Sequence, residues 1–280
     1  MNTPTPNTQP HNDPVTVRWL NPIGHSTYDA PISELLHAIK LPSTRIEVVS
    51  LAMSASPTHL EYRAYEALTY APIVRIARDS ALHNIDALVL GCFYDPALED
   101  AREISGSTVV IGPCQASLQV AANLANRFSI IVGRNKWMEQ MHARVRAYGA
   151  QAGLASMRSL GMGVDEFQRD HALTRRKIIE QARLAVEEDG AEAIILGCTL
   201  EFGFFEEVQA QIGVPVIDPV VAAFKVAEAA AGMKRRFGWS PSRVGSCEPP
   251  SEAEIQAFGL FQEPVPIGNR ISIQTGRQPL

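Results

Sequence analysis

Apolar residues in this chain gather into short unbroken runs, separated by longer stretches in which they recur every three or four positions. The runs "TVRWLN" (16–21), "RIEVVSLA" (45–52), "DALVLGC" (86–92), "STVVIG" (107–112), "FSIIVG" (128–133), "EAIILGC" (192–198) and "PVIDP" (215–219) show little polar alternation. This predicts strands covered on both faces. The stretches at about 30–40, 61–83, 97–105, 114–126, 135–149, 171–189, 203–212 and 219–236 predict helices. In the 171–189 stretch Ile178, Ala182, Leu184 and Ala185 keep the helical rhythm, and Gly190 supplies the stop. Strand and helix in alternation predict an α/β fold with parallel sheets.

The pattern also repeats. Cys92 and Cys198 close the runs "LVLGC" and "IILGC" at a separation of 106 positions, and Pro113 and Pro219, which follow the next runs in "VVIGP" and "PVIDP", have the same separation. A diverged duplication predicts two pseudosymmetric parallel-sheet α/β domains. The first takes residues 15–112 and is completed by the helix at 219–237; the second takes 113–218. Ligands bind beyond the carboxyl ends of parallel strands, so both cysteines are expected in the cleft between the domains. Residues 1–14, polar and rich in Pro, Asn and Thr, predict a disordered tail without signal-peptide features. Residues 238–280, with "GWSPSRVGSCEPPSEAE" and "QEPVPIGNR", predict an irregular C-terminal extension.

Composition narrows the partners. A net charge of −5 without a block of like charge argues against nucleic acid or an anionic membrane surface. No apolar run reaches the roughly 18 residues of a membrane span. A small-molecule substrate and copies of the chain itself remain. Cysteines 92, 114, 198 and 247 form no CxxC pair or Cys/His cluster, so no metal site and no disulfide framework is expected, and reduced thiols suit a cytoplasmic protein. Cys114 and Cys247 have no counterpart in the repeat and read as structural. GxGxxG after a strand, GxxxxGK[ST], GxSxG and HExxH are all absent from the sequence, and no cofactor is expected.

The paired cysteines suggest a chemistry. At a turn from strand to helix, free N–H groups and the helix dipole are expected to lower a thiol's pKa from about 8.5 towards neutrality. A thiolate on one face of a carbon acid and a thiol on the other can remove a proton and return one from the opposite side, which inverts a stereocentre. Without a cofactor the carbanion depends on fixed dipoles, so the reacting carbon should adjoin a carbonyl, imide or carboxylate.

The segments "CFYDPAL" (92–98), "EEDGAEAIILGC" (187–198) and "GVPVIDPVVAAFKVAEA" (213–229) occur in this order and resemble the aspartate/glutamate/hydantoin racemase superfamily, within it the hydantoin and allantoin racemases. The resemblance covers about residues 16–233. It implies two pseudosymmetric α/β domains with the active site between them, a homo-oligomer, and Cys92 and Cys198 as the catalytic acid/base pair. Substrate-binding positions implied are Asn21, Ser26 and Thr27 in "NPIGHST", together with Phe93, Gly133, Arg134 and Thr199. His25 departs from the family's Asn-Pro-Asn-Thr pattern and reads equally as a loop residue or a substrate contact. Two further departures are Gly112-Pro113-Cys114 in place of Gly-Glu-Ala, and Gly133-Arg134 in place of a Thr-Thr pair; Arg134 suggests an anionic group on the substrate. Asp95 and Glu201, each three residues beyond a cysteine, read as capping side chains in a first helical turn. Asp218 reads as a turn residue or as a group that orients the pocket.

The function implied is a cofactor-independent racemase or epimerase acting on a 5-substituted hydantoin or related cyclic ureide. Three alternatives remain: a maleate-type cis–trans isomerase, an Asp/Glu racemase, and a small-molecule-binding accessory protein on the same scaffold.

Overall fold

In the computed structural model, which describes residues 14–52 and 57–276, the apolar runs form two parallel sheets. The expected tail at 1–14 lies outside the described residues except for Pro14. Strands β1 (Val15–Asn21), β2 (Thr44–Leu51), β3 (Ala87–Leu90) and β4 (Val109–Ile111) build the first sheet; β5 (Phe128–Val132), β6 (Leu154–Ser159), β7 (Ala193–Leu196) and β8 (Val216–Ile217) build the second. The orders are β2-β1-β3-β4 and β6-β5-β7-β8, one winding used twice. The chain is therefore an α/β protein of two pseudosymmetric parallel-sheet halves.

The helices are α1 (Asp29–Ile39), α2 (Arg63–Ala67), α3 (Tyr70–Leu82), α4 (Leu98–Ile104), α5 (Pro113–Leu124), α6 (Asn135–Ala147), α7 (His171–Glu187), α8 (Phe205–Ile212), α9 (Pro219–Phe237) and α10 (Glu252–Ala257). Both α5 and α9 open on a proline, where the missing N–H is one that no helix could satisfy internally. These two helices are exchanged between the sheets. α5 follows the first sheet in the chain but packs on β7 and β8, while α9 follows the second and returns to β1, β3 and β4. Along one face of α9, Val220, Ala223, Phe224, Ala227 and Ala231 are buried against Val17, Trp19 and Val89, at the three-to-four spacing of an amphipathic helix.

Three expectations need correction. The helix expected over 61–83 is two helices, broken at Leu68–Thr69: Pro72 sits in the first turn of α3 and has no N–H to continue α2, and the buried Thr69 hydroxyl donates to the Glu66 carbonyl at 2.7 Å. β6 escaped the pattern because "LASMRS" is half-buried at every position on the rim of its sheet. The C-terminal extension is not wholly irregular. It contains α10 and a ninth strand, β9 (Ile267–Ile273), that pairs antiparallel with β2 and extends the first sheet. Ile267, Ile271 and Ile273 share its half-buried face with the polar Asn269, and Gly268, Arg270 and Ser272 alternate on the exposed face, so a period of two is present but weak, and the ladder with β2 holds the strand.

Each cysteine is delivered by a glycine that closes on the neighbouring strand. Gly91 N–H donates to the Leu20 carbonyl and Gly197 N–H to the Ile131 carbonyl, both at 2.7 Å. A Cβ would lie 2.6 Å from Trp19 Nε1 at the first position and 2.5 Å from the Ile131 oxygen at the second. The glycine of each "LGC" motif is thus a packing requirement. Gly197→Ala is expected to lower the unfolding free energy by about 1–3 kcal/mol in urea denaturation; an unchanged midpoint would contradict the close-approach argument.

Candidate active site

Beyond β3 and β7 the chain makes two short turns of the same design. Asp95 N–H donates to the Cys92 carbonyl at 3.0 Å, and Glu201 N–H to the Cys198 carbonyl at 2.9 Å. Each thiol accepts the backbone N–H two residues on, Cys92 from Tyr94 and Cys198 from Leu200. The Thr199 hydroxyl donates to the Gly91 carbonyl at 3.0 Å and ties one turn to the other across the halves. Both cysteines line a single cavity, partly open to solvent, whose wall is mainly apolar: Ile23, Tyr28, Leu60, Phe93, Trp137, Met141 and Val164.

Of the residues singled out from the sequence, Cys92, Cys198, Asn21, Phe93 and Thr199 line this cavity. Asn21 is fixed by its neighbours: its Oδ1 accepts from Trp19 Nε1 at 2.8 Å, and its Nδ2 donates to Asp29 Oδ1 at 2.6 Å. Asp29 Oδ2 in turn accepts from Asn269 Nδ2 at 2.8 Å, so β9 braces this wall from outside the repeat.

Ser26, Thr27, Gly133 and Arg134 do not line the cavity. Ser26 and Thr27 are exposed on the approach to α1. Gly133 is buried where a Cβ would sit 2.3 Å from the Trp137 ring; its absence of a side chain lets the indole lie there. The Arg134 guanidinium donates to Glu61 Oε2 at 2.9 Å, with its side chain 43% exposed. Its charge serves a carboxylate of the protein, which removes the reason for reading it as a substrate contact. His25 faces the Thr58 carbonyl at 3.2 Å and also lies off the wall.

Glu61 was not legible in the sequence. It lies in the wall, accepts from Val164 N–H at 2.8 Å, from Arg134 and from the Trp137 indole, and is buried. Burial alone would raise its pKa, but these donors outweigh it and hold the carboxyl below the usual range. Tyr94 was equally unread: its ring lines the cavity, and its buried hydroxyl has no hydrogen-bond partner among the described residues.

The thiols differ from the electrostatic expectation. Burial pushes Cys92 up to about 12 and Cys198 well above the ordinary thiol range, and the single N–H on each sulfur offsets only part of this. The expected helix dipole is not there to lower them. α4 begins only at Leu98, six residues past Cys92, and Cys198 is followed by one short turn, Thr199–Glu201. Asp95 caps a helix, but not its own: it accepts from Cys114 N–H at 2.9 Å and Gln115 N–H at 3.0 Å, at the start of α5, and from the Tyr148 hydroxyl at 2.8 Å. Asp218 caps α9 through Val220 N–H at 2.8 Å and also accepts from Gly203 N–H at 2.9 Å. Among the described residues no group of three His, Cys, Asp or Glu side chains has the arrangement of a metal site.

The chain is thus built of two α/β halves of one winding, each bringing a thiol to a shared apolar cavity. The Asp/Glu/Hydantoin racemase family model matches residues 19–227, and the chain belongs to that family. The hydantoin racemase of Rhizobium meliloti is 32% identical over 82% of this chain and 92% of its own length. That of Paenarthrobacter aurescens is 32% identical over 84% and 97%. Among solved structures, the allantoin racemase from Klebsiella pneumoniae superposes with a TM-score of 0.78 at 27% identity, covering 85% of this chain and 94% of that one.

Burial pushes Asp95 and Asp218 from 3.8 up to about 6, although each accepts backbone N–H bonds that pull the other way. The folded state therefore holds their protons more tightly than the unfolded state does. The stability this linkage contributes is complete below about pH 4 and is lost as the pH rises through 6, by up to about 3 kcal/mol for each group. In urea titrations between about pH 4 and 7, Asp218→Asn should show a shallower fall in unfolding free energy than the wild type; parallel profiles would contradict the assignment.

Proposed function

We propose that this protein is a cofactor-independent racemase of a 5-substituted hydantoin or related cyclic ureide, with Cys92 and Cys198 as the paired base and acid. The observation that carries the reading is that both thiols, from equivalent strand ends of opposed halves, line one cavity. The names of the relatives support the ring class. In the forward direction one cysteine, as thiolate, takes the proton from the carbon between the side chain and the ring carbonyl. The electron pair moves into that carbonyl as an enolate, and the other thiol then delivers its proton to the opposite face. The first cysteine ends as thiol and the second as thiolate, and exchange with water restores the starting state. A raised thiol pKa makes the thiolate scarce, but it also makes that thiolate a stronger base towards a weakly acidic carbon.

The Tyr94 hydroxyl is the donor we assign to the enolate oxygen. It is buried, lacks a partner among the described residues, and feels the charges of both Cys92 and Cys198. Asn21 and Thr199, with their side chains engaged by the protein, shape the wall. Among the described residues none lining the cavity is Lys or Arg, and Arg134 is committed to Glu61. A dicarboxylate such as maleate, aspartate or glutamate finds no fixed cationic partner there, which favours the neutral ureide ring over the alternatives. The scheme needs both thiols reduced, which suits the cytoplasm. Phe237 and Trp239, exposed and in contact with ring centroids 5.2 Å apart beyond the core of α9, support self-association into a homo-oligomer.

The test is to incubate the protein with enantiopure 5-substituted hydantoins in deuterium oxide. Rotation should be lost with one deuteron at the inverted carbon, and Cys92→Ala or Cys198→Ala should slow this by about a thousandfold or more. Retained rotation without exchange across the panel, or full activity in either variant, overturns the two-thiol scheme. Tyr94→Phe should lower kcat by about 10–100-fold while leaving the thermal midpoint unchanged or higher, since it removes an unpaired buried hydroxyl. An unchanged kcat removes Tyr94 from the scheme.

A further inference from the structure

Three residues beyond each cysteine stands a fully buried carboxyl, Asp95 after Cys92 and Glu201 after Cys198, and the two halves employ them differently. Asp95 caps α5. The N-cap residue of that helix, Gly112, brings no side chain, and a Cβ there would lie 2.3 Å from Asp95 Cγ, so a side chain at 112 and the Asp95 carboxylate exclude one another. In the second half the N-cap is Asp218, whose own carboxylate takes the first N–H groups of α9. Glu201 is left without a helix to cap. Neither of its oxygens has a well-formed hydrogen bond among the described residues. The polar groups it faces are the backbone N–H groups of Gly197 and Cys198, and the first of these is already given to Ile131.

A carboxylate buried in this way carries a large desolvation penalty, which the neutral acid avoids. Burial and the nearby Asp218 both push the Glu201 carboxyl well above the usual range. We propose that Glu201 is a positioning residue for Cys198, a neutral acid beneath its turn whose ionisation and that of the Cys198 thiol exclude one another. This rests on the racemase reading for its purpose. A carboxyl is intrinsically the stronger acid of the two, so a Cys198 thiolate that forms at high pH forms beside an anion. The resting thiolate is thereby biased towards Cys92, while turnover in either direction still exchanges the roles of the two thiols. The other groups facing Cys198 are Cys92 after β3 and Glu61 before α2, and its charge is felt by the Tyr28 and Tyr94 hydroxyls; Cys92 faces Glu66, Asp95 and Arg144.

Both cysteines are part-exposed, so the test is alkylation of the full-length protein by iodoacetamide, with the rate at each cysteine followed by peptide mass spectrometry. In wild type and Glu201→Gln the Cys198 rates should coincide near pH 6. By about pH 9.5 the variant's Cys198 should react about tenfold faster than the wild type's, while Cys92 stays within about twofold. Glu201→Met, neutral and of similar length, should give the same divergence and serves if the Gln variant does not fold. Cys198 rates that coincide at every pH, or an equal acceleration at Cys92, overturn the proposal. The readout needs no substrate, so it stands or falls separately from the racemase reading.

Discussion

Because α5 packs on the second sheet and α9 on the first, neither sheet covers its apolar face without a helix delivered by the other half. The two halves are locked through these helices, which also pack on each other. Burial of Val220, Ala223, Phe224 and Ala227 against the first sheet fixes the direction in which β8 must end. That direction sets the start of α9, and with it Asp218, while the start of α5 sets the place that Asp95 must reach. The cysteine turns hang from the same framework: Asp95 belongs to the turn of Cys92, and its carboxylate is bonded to α5, a helix that packs on the sheet of Cys198. The cavity is therefore a property of the exchange and of neither half alone.

Within the cavity two electrostatic effects compete on each sulfur, and their sizes decide the outcome. One backbone N–H favours the thiolate, but loss of water favours the thiol more strongly, so Cys92 is pushed up to about 12. A site that lowered both thiols to neutrality would hold two thiolates near each other in an apolar cleft. It would have no acid to finish an inversion. Under the proposed two-thiol scheme, two thiols held largely protonated need only one of them to ionise, which keeps one acid and one base available whichever enantiomer enters.

The strands, the repeat and the paired cysteines could be read from the sequence because each is written in a local signal. Val/Ile/Leu runs mark buried strands, and a gapless spacing of 106 marks equivalent ends. Asn21 and Thr199, implied by the family resemblance, do lie on the wall: Asn21 is the last residue of β1, and Thr199 stands in the turn after β7. Ser26 and Thr27 were misplaced because the turn "IGH" lengthens the loop after β1 and carries them to the surface. Arg134 was misjudged because its partner, Glu61, lies 73 residues away, on a segment whose approach to α6 no local pattern records. The expected lowering of the thiol pKa values fails because burial, which raises them, is a matter of tertiary packing, and the helices after Cys92 and Cys198 start too far on for their dipoles to offset it. Asp95 was recognised as a cap, but the helix it caps is defined only by tertiary packing.

The family match ends at residue 227, yet the wall of the cavity is held from beyond it. Asn269 on β9 bonds Asp29, Asp29 bonds Asn21, and Asn21 takes the Trp19 indole N–H. This is a continuous chain of side-chain hydrogen bonds from an added strand to the residue that ends β1. Buried polar chains of this kind are rigid when complete, because breaking any link leaves an unpaired group out of water. β9 is also the one antiparallel strand in an otherwise parallel sheet, so its position depends on its register with β2, in which Asn269 stands opposite Ser50. The C-terminal segment thus acts on the site by fixing the orientation of Asn21 rather than by entering the cavity. Where a relative lacks such a strand, the same Asn-Pro motif must be oriented by other groups, and the shape of the pocket at that wall does not carry over from motif identity alone.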